Sequence, residues 1–197
     1  MDYFDTIKDI LYKYQRFGIR TAENGTILIG HAPHVAPEAW LHKIFLPLTD
    51  NDIMLMEDEV KLPIPIPFKQ FLKKSNGLQI FITKFSLYGL RRSYERIGDN
   101  TWQPFAMDTP NTIERIRNAP LDAVFIGSYS FDGSRLYMDR QNKVYRCLRW
   151  DATPINRWNS FEEMLLSEVT RITKLFDSEG RQINKEQPTT PPMDASN

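Results

Sequence analysis

The segment from Leu46 to Gly77 constrains the fold of this chain more than any other part of the sequence. It combines a short acidic helix, a connector with three closely spaced prolines, a second short helix and a final Asn-Gly pair. Proline fixes its own backbone angle and pushes the preceding residue into an extended conformation. The segment therefore predicts two helices held apart by a stiff connector, and none of its residues is suited to bond-breaking chemistry.

Local signals set the ends of both helices. Thr49 followed three residues later by Asp52 predicts a capping-box start, with Asp in place of the usual Glu. Phe68 and Leu72 share one face of the second helix at the spacing of a buried apolar stripe. Gly77 is suited to the left-handed conformation that stops a helix. These signals predict that the second helix leads directly into a strand.

The overall composition excludes several classes of protein. The chain has 197 residues, with 25 basic and 25 acidic side chains, so no basic excess for nucleic-acid binding is present. Its first 17 residues are charged throughout and lack the apolar core of a secretory signal. No apolar run reaches the roughly 20 residues that span a bilayer. Cys147 is the single cysteine, so we expect a cytoplasmic protein without an internal disulfide.

The N-terminal 45 residues read as an extension packed on the main domain. Tyr3 to Tyr14 has apolar residues at spacings of three and four, which predicts an amphipathic helix. Thr26 to Ile29 predicts a short strand between two glycines. Pro37 is suited to the first turn of a helix, so we expect a short helix that carries Trp40, Leu41 and Ile44.

The remainder alternates short strands and helices. Ser160 and Glu163 form a second capping-box pattern that opens a final amphipathic helix. From Asp177 to Asn197 the sequence is polar and proline-rich, so we expect a disordered tail. The other predicted elements are strands at 78–82, 84–87 and 123–126, a short helix from 109, and a hairpin with strands at 136–139 and 143–150.

Residues that could perform chemistry are few and isolated. His31, His34 and His42 do not complete a zinc site, because no cysteine or carboxylate stands at zinc-ligand spacing. We interpret them as structural or surface residues, and we expect no metal and no cofactor. Cys147 has no histidine close in sequence to act as a base, so we interpret it as a small buried hydrophobe. The Asp132-Gly133 pair predicts a turn.

Two surfaces are candidates for binding another protein. The predicted hairpin concentrates arginines and tyrosines, the residue types that commonly anchor interfaces. A second, weaker set lies in the segment after the 84–87 strand. Acidic residues between 50 and 59 are either a solvated helix face or an alternative docking surface. The candidate binding residues are Asp132, Arg135, Tyr137, Arg146 and Arg149 on the hairpin, and Arg91, Arg92 and Tyr94 in the second set.

The order of these parts resembles the SUKH superfamily, which includes bacterial immunity proteins and fungal cell-wall regulators. The resemblance covers about Leu46 to Ile172, and it rests on the order of several motifs rather than on any single one. The matching positions are Ile53 and Glu57, Leu62-Pro63, Phe68 to Leu72, Asn76-Gly77, Gly127, Asp132-Gly133, Leu136 to Asp139, Val144-Tyr145, and Ser160 to Glu163 with Leu165.

The resemblance implies an α+β domain at 46–176, with an antiparallel sheet flanked by helices. It implies a non-enzymatic protein that binds another protein, in many relatives a toxin domain that the immunity protein neutralises by occlusion. A regulatory or scaffold protein without a toxin partner is the alternative, and an unrecognised enzyme is a third. We expect no nucleic-acid or membrane partner.

Overall fold

A single antiparallel sheet organises the chain. The computed structural model describes residues 2–194, and within this range the sheet has nine strands that are ordered in space as they are in sequence. Each strand therefore pairs with its sequence neighbours. The strands are β1 Ile19–Thr21, β2 Ile27–His31, β3 Trp40–Ile44, β4 Leu78–Ile80, β5 Phe85–Leu87, β6 Val124–Tyr129, β7 Arg135–Met138, β8 Val144–Cys147 and β9 Pro154–Trp158.

Helices pack against this sheet and complete the core. Tyr3 and Phe161 bring the first and last helices together, with ring centroids 6.5 Å apart. Phe68 and Phe71 stack on each other and both contact Phe161. The helices are α1 Tyr3–Tyr12, α2 Asp50–Val60, α3 Ile66–Leu72, α4 Asp108–Asn111 and α5 Phe161–Thr173. This arrangement confirms the predicted α+β fold with an antiparallel sheet flanked by helices.

The first predicted capping box is present in the structure, and the second is present in part, because the Glu163 carboxylate accepts from the Asn159 backbone N–H and not from that of Ser160. The Thr49 side chain accepts a hydrogen bond from the Asp52 backbone N–H, and the Asp52 carboxylate accepts one from the Thr49 backbone N–H. Ser160 caps α5 by accepting from the Glu163 backbone N–H. Gly77 has a φ of 89°, as expected, but α3 ends five residues earlier.

The N-terminal residues extend the sheet. β3 pairs with β4 through Ile44 and Leu78, and β1 and β2 follow outward from it. The helix expected around Trp40 and Leu41 is therefore wrong, because these residues belong to β3. The spacing of their apolar side chains fits a helix face, but both edges of this segment hydrogen-bond to distant strands. Whether the domain begins at residue 46 remains a prediction.

The C-terminal tail also differs from its expectation. Residues 177–194 were expected to be disordered, yet Thr189 and Thr190 are buried and later carbonyls accept hydrogen bonds from the sheet. Residues 195–197 lie outside the described residues. The tail is held by polar contacts to its backbone, which a composition-based prediction does not register. None of the helices between residues 2 and 194 combines the length and apolar character needed to cross a bilayer.

Candidate protein-binding surface

The hairpin of β7 and β8 carries most of the sequence-predicted binding residues. Arg146 is almost fully buried, and each of its three guanidinium nitrogens donates to a partner within the chain. Its Nε donates to Ser134 Oγ at 2.9 Å, and its Nη2 donates to Asp132 Oδ2 at 2.7 Å. Its Nη1 donates to Asn156 Oδ1 at 2.8 Å and to the Pro191 carbonyl at 2.7 Å. Arg146 thus links the hairpin to β9 and to the C-terminal tail.

Arg135 and Tyr137 are buried on the opposite face of the sheet. Arg135 donates to the Glu114 carbonyl at 2.8 Å and to the Glu114 carboxylate at 2.9 Å. Tyr137 donates its hydroxyl to the Ala152 carbonyl at 3.3 Å. The expectation that Arg135, Tyr137 and Arg146 are exposed contact residues is therefore corrected. Both faces of this hairpin are covered, whereas an antiparallel sheet often leaves one face solvated.

Asp132 and Arg149 lie at the rim of the hairpin. Burial alone would raise the pKa of Asp132, but hydrogen bonds from Ser134 and Arg146 outweigh it, so the pKa lies below its usual value. Arg149 is exposed, and its guanidinium lies 4.7 Å from the ring centre of the exposed Trp150. Arg149 is the one arginine of this set that remains accessible to a partner.

The second predicted set lies on a long loop between β5 and β6. Arg91 stacks on Tyr94 at 4.8 Å from the ring centre, and Tyr94 is 68% exposed. Arg92 forms a 2.6 Å ion pair with Asp52 of α2. The structure thus brings this loop against the acidic helix, and Arg91, Arg92 and Tyr94 stay candidate contact residues.

The acidic helix α2 is largely neutralised by its neighbours. Four of its carboxylates form ion pairs, namely Asp50 with Lys73, Asp52 with Arg92, Glu57 with Lys69 and Asp58 with Lys61. Between them, Met54 and Leu55 are 65% and 59% exposed. The outward face of α2 is therefore a small apolar patch with paired charges around it, which weakens the case for electrostatic docking.

The proline connector forms one wall of a groove. Glu57 fixes the connector, because its Oε1 accepts from the Ile64 backbone N–H at 2.7 Å and from Lys69 Nζ at 2.7 Å. Ile64 is buried beneath it, while Ile66 at the start of α3 is 67% exposed. A stiff connector and a buried anchor give this wall a defined shape.

The opposite wall comes from the turn between β7 and β8. The resulting cavity of about 230 Å³ is lined by the connector together with Asp122, Asp139 and Arg140. The Arg140 side chain is 80% exposed and lies 3.6 Å from the Asp122 carboxylate. We call this cavity the connector groove, defined by residues 62–66, Asp122, Arg140 and the adjoining turn.

A second, wider hollow of about 480 Å³ continues from the connector groove. The two cavities share Asp122 and Asp139 in their walls. The hollow contains Tyr137 and Tyr145, whose rings stack with centroids 5.2 Å apart. Tyr145 is half-buried and donates its hydroxyl to Asp139 at 3.0 Å. We call this cavity the tyrosine hollow.

The connector groove was not predicted from the sequence, although the sequence contains one signal for it. The prolines at 63 and 65 predicted a stiff connector, but not which segment would lie opposite it. Asp122 and Arg140 are far from the connector in sequence, and only the fold of the sheet brings them together. Leu121, next to Asp122, is 90% exposed and adds an apolar side chain near this end of the molecule.

The groups most suited to chemistry are shielded by burial. Cys147 is buried, and burial raises the pKa of its thiol to about 12, so the thiolate is scarce at neutral pH. Burial lowers the pKa of His42 to about 3, so its ring is neutral. His31 contacts the Pro37 carbonyl at 2.7 Å. Within residues 2–194, no three His, Cys, Asp or Glu side chains form a group that could hold a metal ion.

One comparison with known proteins gives a match. The model of the SMI1 / KNR4 family (SUKH-1) matches residues 47–167, which is more than half of the chain. This range includes α2, the connector, the groove and the hairpin. It leaves out the first three strands and the C-terminal tail. Among curated proteins and among solved structures, none matches this chain.

Proposed function

Because this chain belongs to the SMI1 / KNR4 family (SUKH-1), we propose that it is a non-enzymatic protein-binding module. The connector groove and the tyrosine hollow form its docking surface. The observation that carries this assignment is a pair of adjoining cavities within the family-matched residues that share Asp122 and Asp139 in their walls. Apolar cavities with a few polar groups are typical of ligand-binding sites, and we infer that a side chain or loop protruding from a partner protein enters these.

The rim of the groove offers the anchors that an interface needs. Ile66 supplies exposed apolar area, and Arg140 supplies a guanidinium with most of its surface free. Half-buried Tyr145 offers an aromatic face in the adjoining hollow. Aromatic residues and arginine are enriched among the side chains that contribute most to binding free energy. A protruding loop or helix end of a partner fits this shape better than a flat surface does.

Within this class, we propose an immunity-type role in which the protein neutralises a toxin domain. The mechanism is occlusion: a preformed surface covers the active site of the toxin and keeps substrate out. The formal net charge of the chain is zero, and four of the five carboxylates of α2 form ion pairs. Shape and apolar contact therefore carry more of the recognition than long-range electrostatic steering does.

The test begins with capture of a partner by the purified chain and identification of that partner. The partner is then assayed alone and with increasing amounts of this protein. We expect a stoichiometric complex in which the toxin activity of the partner is lost. A partner that binds tightly but keeps its full activity would contradict the immunity role and leave only the binding role.

A regulatory or scaffold protein is the second candidate, and one observation favours it. Strands β1 to β3 and the packed tail lie outside the family-matched residues and enlarge the surface of the domain. Additional surface suits a protein with more than one contact. The neighbouring reading frame distinguishes the two roles, since a large secreted toxin encoded next to this protein favours immunity.

A further inference from the structure

The last part of the tail lies in a built groove of its own. We call residues 189–194 the tail segment; it has the sequence Thr-Thr-Pro-Pro-Met-Asp. Thr189 is fully buried and Thr190 is 7% exposed, although the preceding residues 183–188 are exposed. A polar, proline-containing segment without a large apolar side chain at its buried end must be held by other contacts.

Side-chain donors hold the tail segment by its backbone carbonyls. Arg171 Nη2 donates to the Thr189 carbonyl at 2.7 Å. Arg146 Nη1 donates to the Pro191 carbonyl at 2.7 Å, and Asn156 Nδ2 donates to the Pro192 carbonyl at 2.7 Å. We call Arg146, Asn156 and Arg171 the carbonyl clamp. Proline has a carbonyl acceptor but no N–H donor, so a row of donors is the matching receptor.

The end of the segment is recognised through its charge and its backbone. The Asp194 carboxylate accepts from Asn156 Nδ2 at 2.8 Å and from the Arg157 backbone N–H at 3.1 Å. The Asp194 backbone N–H donates to the Ile155 carbonyl at 3.0 Å. Asp194 thus lies beside β9, the last strand of the sheet, and is held there by one backbone hydrogen bond and by its carboxylate.

The clamp is oriented by residues other than the tail. Asp132 and Ser134 hold Arg146, and Glu168 holds Arg171 with two hydrogen bonds of 3.0 and 2.7 Å. Glu168 itself is buried and accepts a hydrogen bond from Tyr129. Since these contacts do not involve the tail segment, the donors keep their direction when the segment leaves. A preorganised site of this kind loses little entropy on binding.

We propose that the carbonyl clamp is a second binding site, for an extended segment of a partner protein in which two prolines are followed closely by an acidic residue. The tail segment fills this site in cis. Three of the six hydrogen bonds are to backbone carbonyls and two are to the Asp194 carboxylate, so a partner needs two prolines and the acidic residue rather than the whole tail sequence. Tethering gives the tail a high effective concentration, so a partner must compete with it.

The experiment uses the full chain with a specific protease site placed between Lys185 and Glu186, in the exposed part of the tail. Cleavage of the folded protein leaves the tail segment bound without its tether. A fluorescent peptide of residues 187–194 is then titrated against cut and uncut protein, with polarisation as the readout. We expect the peptide to replace the fragment in the cut protein, and to bind the uncut protein at least tenfold more weakly.

A matched pair of substitutions tests the contacts themselves. Asn156→Asp keeps the oxygen that accepts from Arg146 but places a carboxylate against Asp194 and the Pro192 carbonyl. Peptide affinity should fall at least tenfold, and a peptide carrying Asp194→Asn should recover part of it. Arg149→Ala, on an exposed residue of the same hairpin region, should leave peptide affinity unchanged. A thermal melt of each variant confirms that it is folded.

Several results would overturn the proposal. If the cleaved fragment does not exchange with the peptide, or if the cut protein does not bind the peptide, the tail is a fixed part of the fold. Equal peptide affinity in the parent and Asn156→Asp would remove the clamp from the recognition. A dimer of the uncut chain that Asn156→Asp abolishes would assign the site to the tail of a second copy instead of a separate partner.

Discussion

The hairpin of β7 and β8 and the loop between β5 and β6 both carry arginines, yet they use them in opposite ways. Arg135 and Arg146 are buried in the hairpin, with carbonyl and carboxylate partners inside the chain. Arg91 and Arg92 lie on the loop, where they stack or pair near solvent. Whether an arginine is buried or exposed therefore depends on which distant segment packs over it. A local sequence pattern does not contain that information.

The largest effect is expected at Arg146. Arg146→Met should lower the free energy of unfolding by about 3–5 kcal/mol, because it leaves Asp132 and the Pro191 carbonyl without their donor. Urea denaturation followed by circular dichroism measures the change. The matched control is Arg149→Met on the exposed rim, which should stay within about 0.5 kcal/mol of the parent. Equal effects of the two substitutions would break the comparison.

Arg135 should show an intermediate effect. Its main partner is Glu114, whose side chain is 54% exposed, so water can replace the lost donor at the carboxylate. Arg135→Met should therefore cost about 1–3 kcal/mol, the usual scale for removing a buried hydrogen-bonding group. The same urea titration checks it. A loss of stability larger than that of Arg146→Met would contradict this order, which follows from the greater burial of Asp132 compared with Glu114.

The hydrogen bonds that Asp132 accepts from Ser134 and Arg146 predict a dependence of stability on pH. The pKa of Asp132 is lowered in the folded protein, so the charged carboxylate favours folding above its unfolded pKa of about 3.9. This contribution is lost as the pH falls below about 4 and through the folded pKa. The parent should therefore lose more stability than Asp132→Asn between pH 6 and pH 3.

Urea titrations of the parent and Asp132→Asn at both pH values measure this difference. Other carboxylates titrate in both proteins, so only the change in the difference between their free energies of unfolding reports on Asp132. This difference should be smaller at pH 3 than at pH 6. A difference that grows as the pH falls would have the wrong sign for a carboxylate stabilised in its charged form.

The smallest effect on stability is expected on the loop. Arg92 and Asp52 form an ion pair whose Arg92 side chain is 55% exposed, and ion pairs at the surface contribute at most about 1 kcal/mol. Arg92→Ala should therefore change the urea midpoint only slightly, and 0.5 M salt should reduce the difference further. A loss as large as that of Arg135→Met would show that the loop has a role in holding the fold.

The parts of the fold that the sequence predicted depend on neighbouring residues. Two helix starts were predicted correctly, at Thr49 with Asp52 and at Ser160 with Glu163. Each capping hydrogen bond joins residues only three positions apart, so a short stretch of sequence contains the whole signal. The hairpin around residues 139–143 was also visible from its turn. The fold class came from the family resemblance, which the matching family model supports.

The parts that were missed depend on contacts across the sequence. Trp40 and Leu41 belong to a strand because β3 pairs along one edge with β2 and, through Lys43 and Ile44, along the other edge with β4. Arg146 reaches Pro191, 45 residues away, and that contact orders a tail with the composition of a disordered segment. For the same reason part of the binding surface was expected on Arg135 and Arg146, which the fold buries, and the connector groove was not expected at all.

The most direct test of this account measures binding after a partner has been identified. Ile66 in the connector groove and Met54 on α2 are matched, since they are 67% and 65% exposed. We predict that Ile66→Asp and Arg140→Glu each weaken the partner at least tenfold in a calorimetric titration, which corresponds to about 1.4 kcal/mol. Met54→Asp should bind like the parent. Unchanged affinity in both groove variants, together with a loss in Met54→Asp, would contradict the groove and place the docking surface on α2.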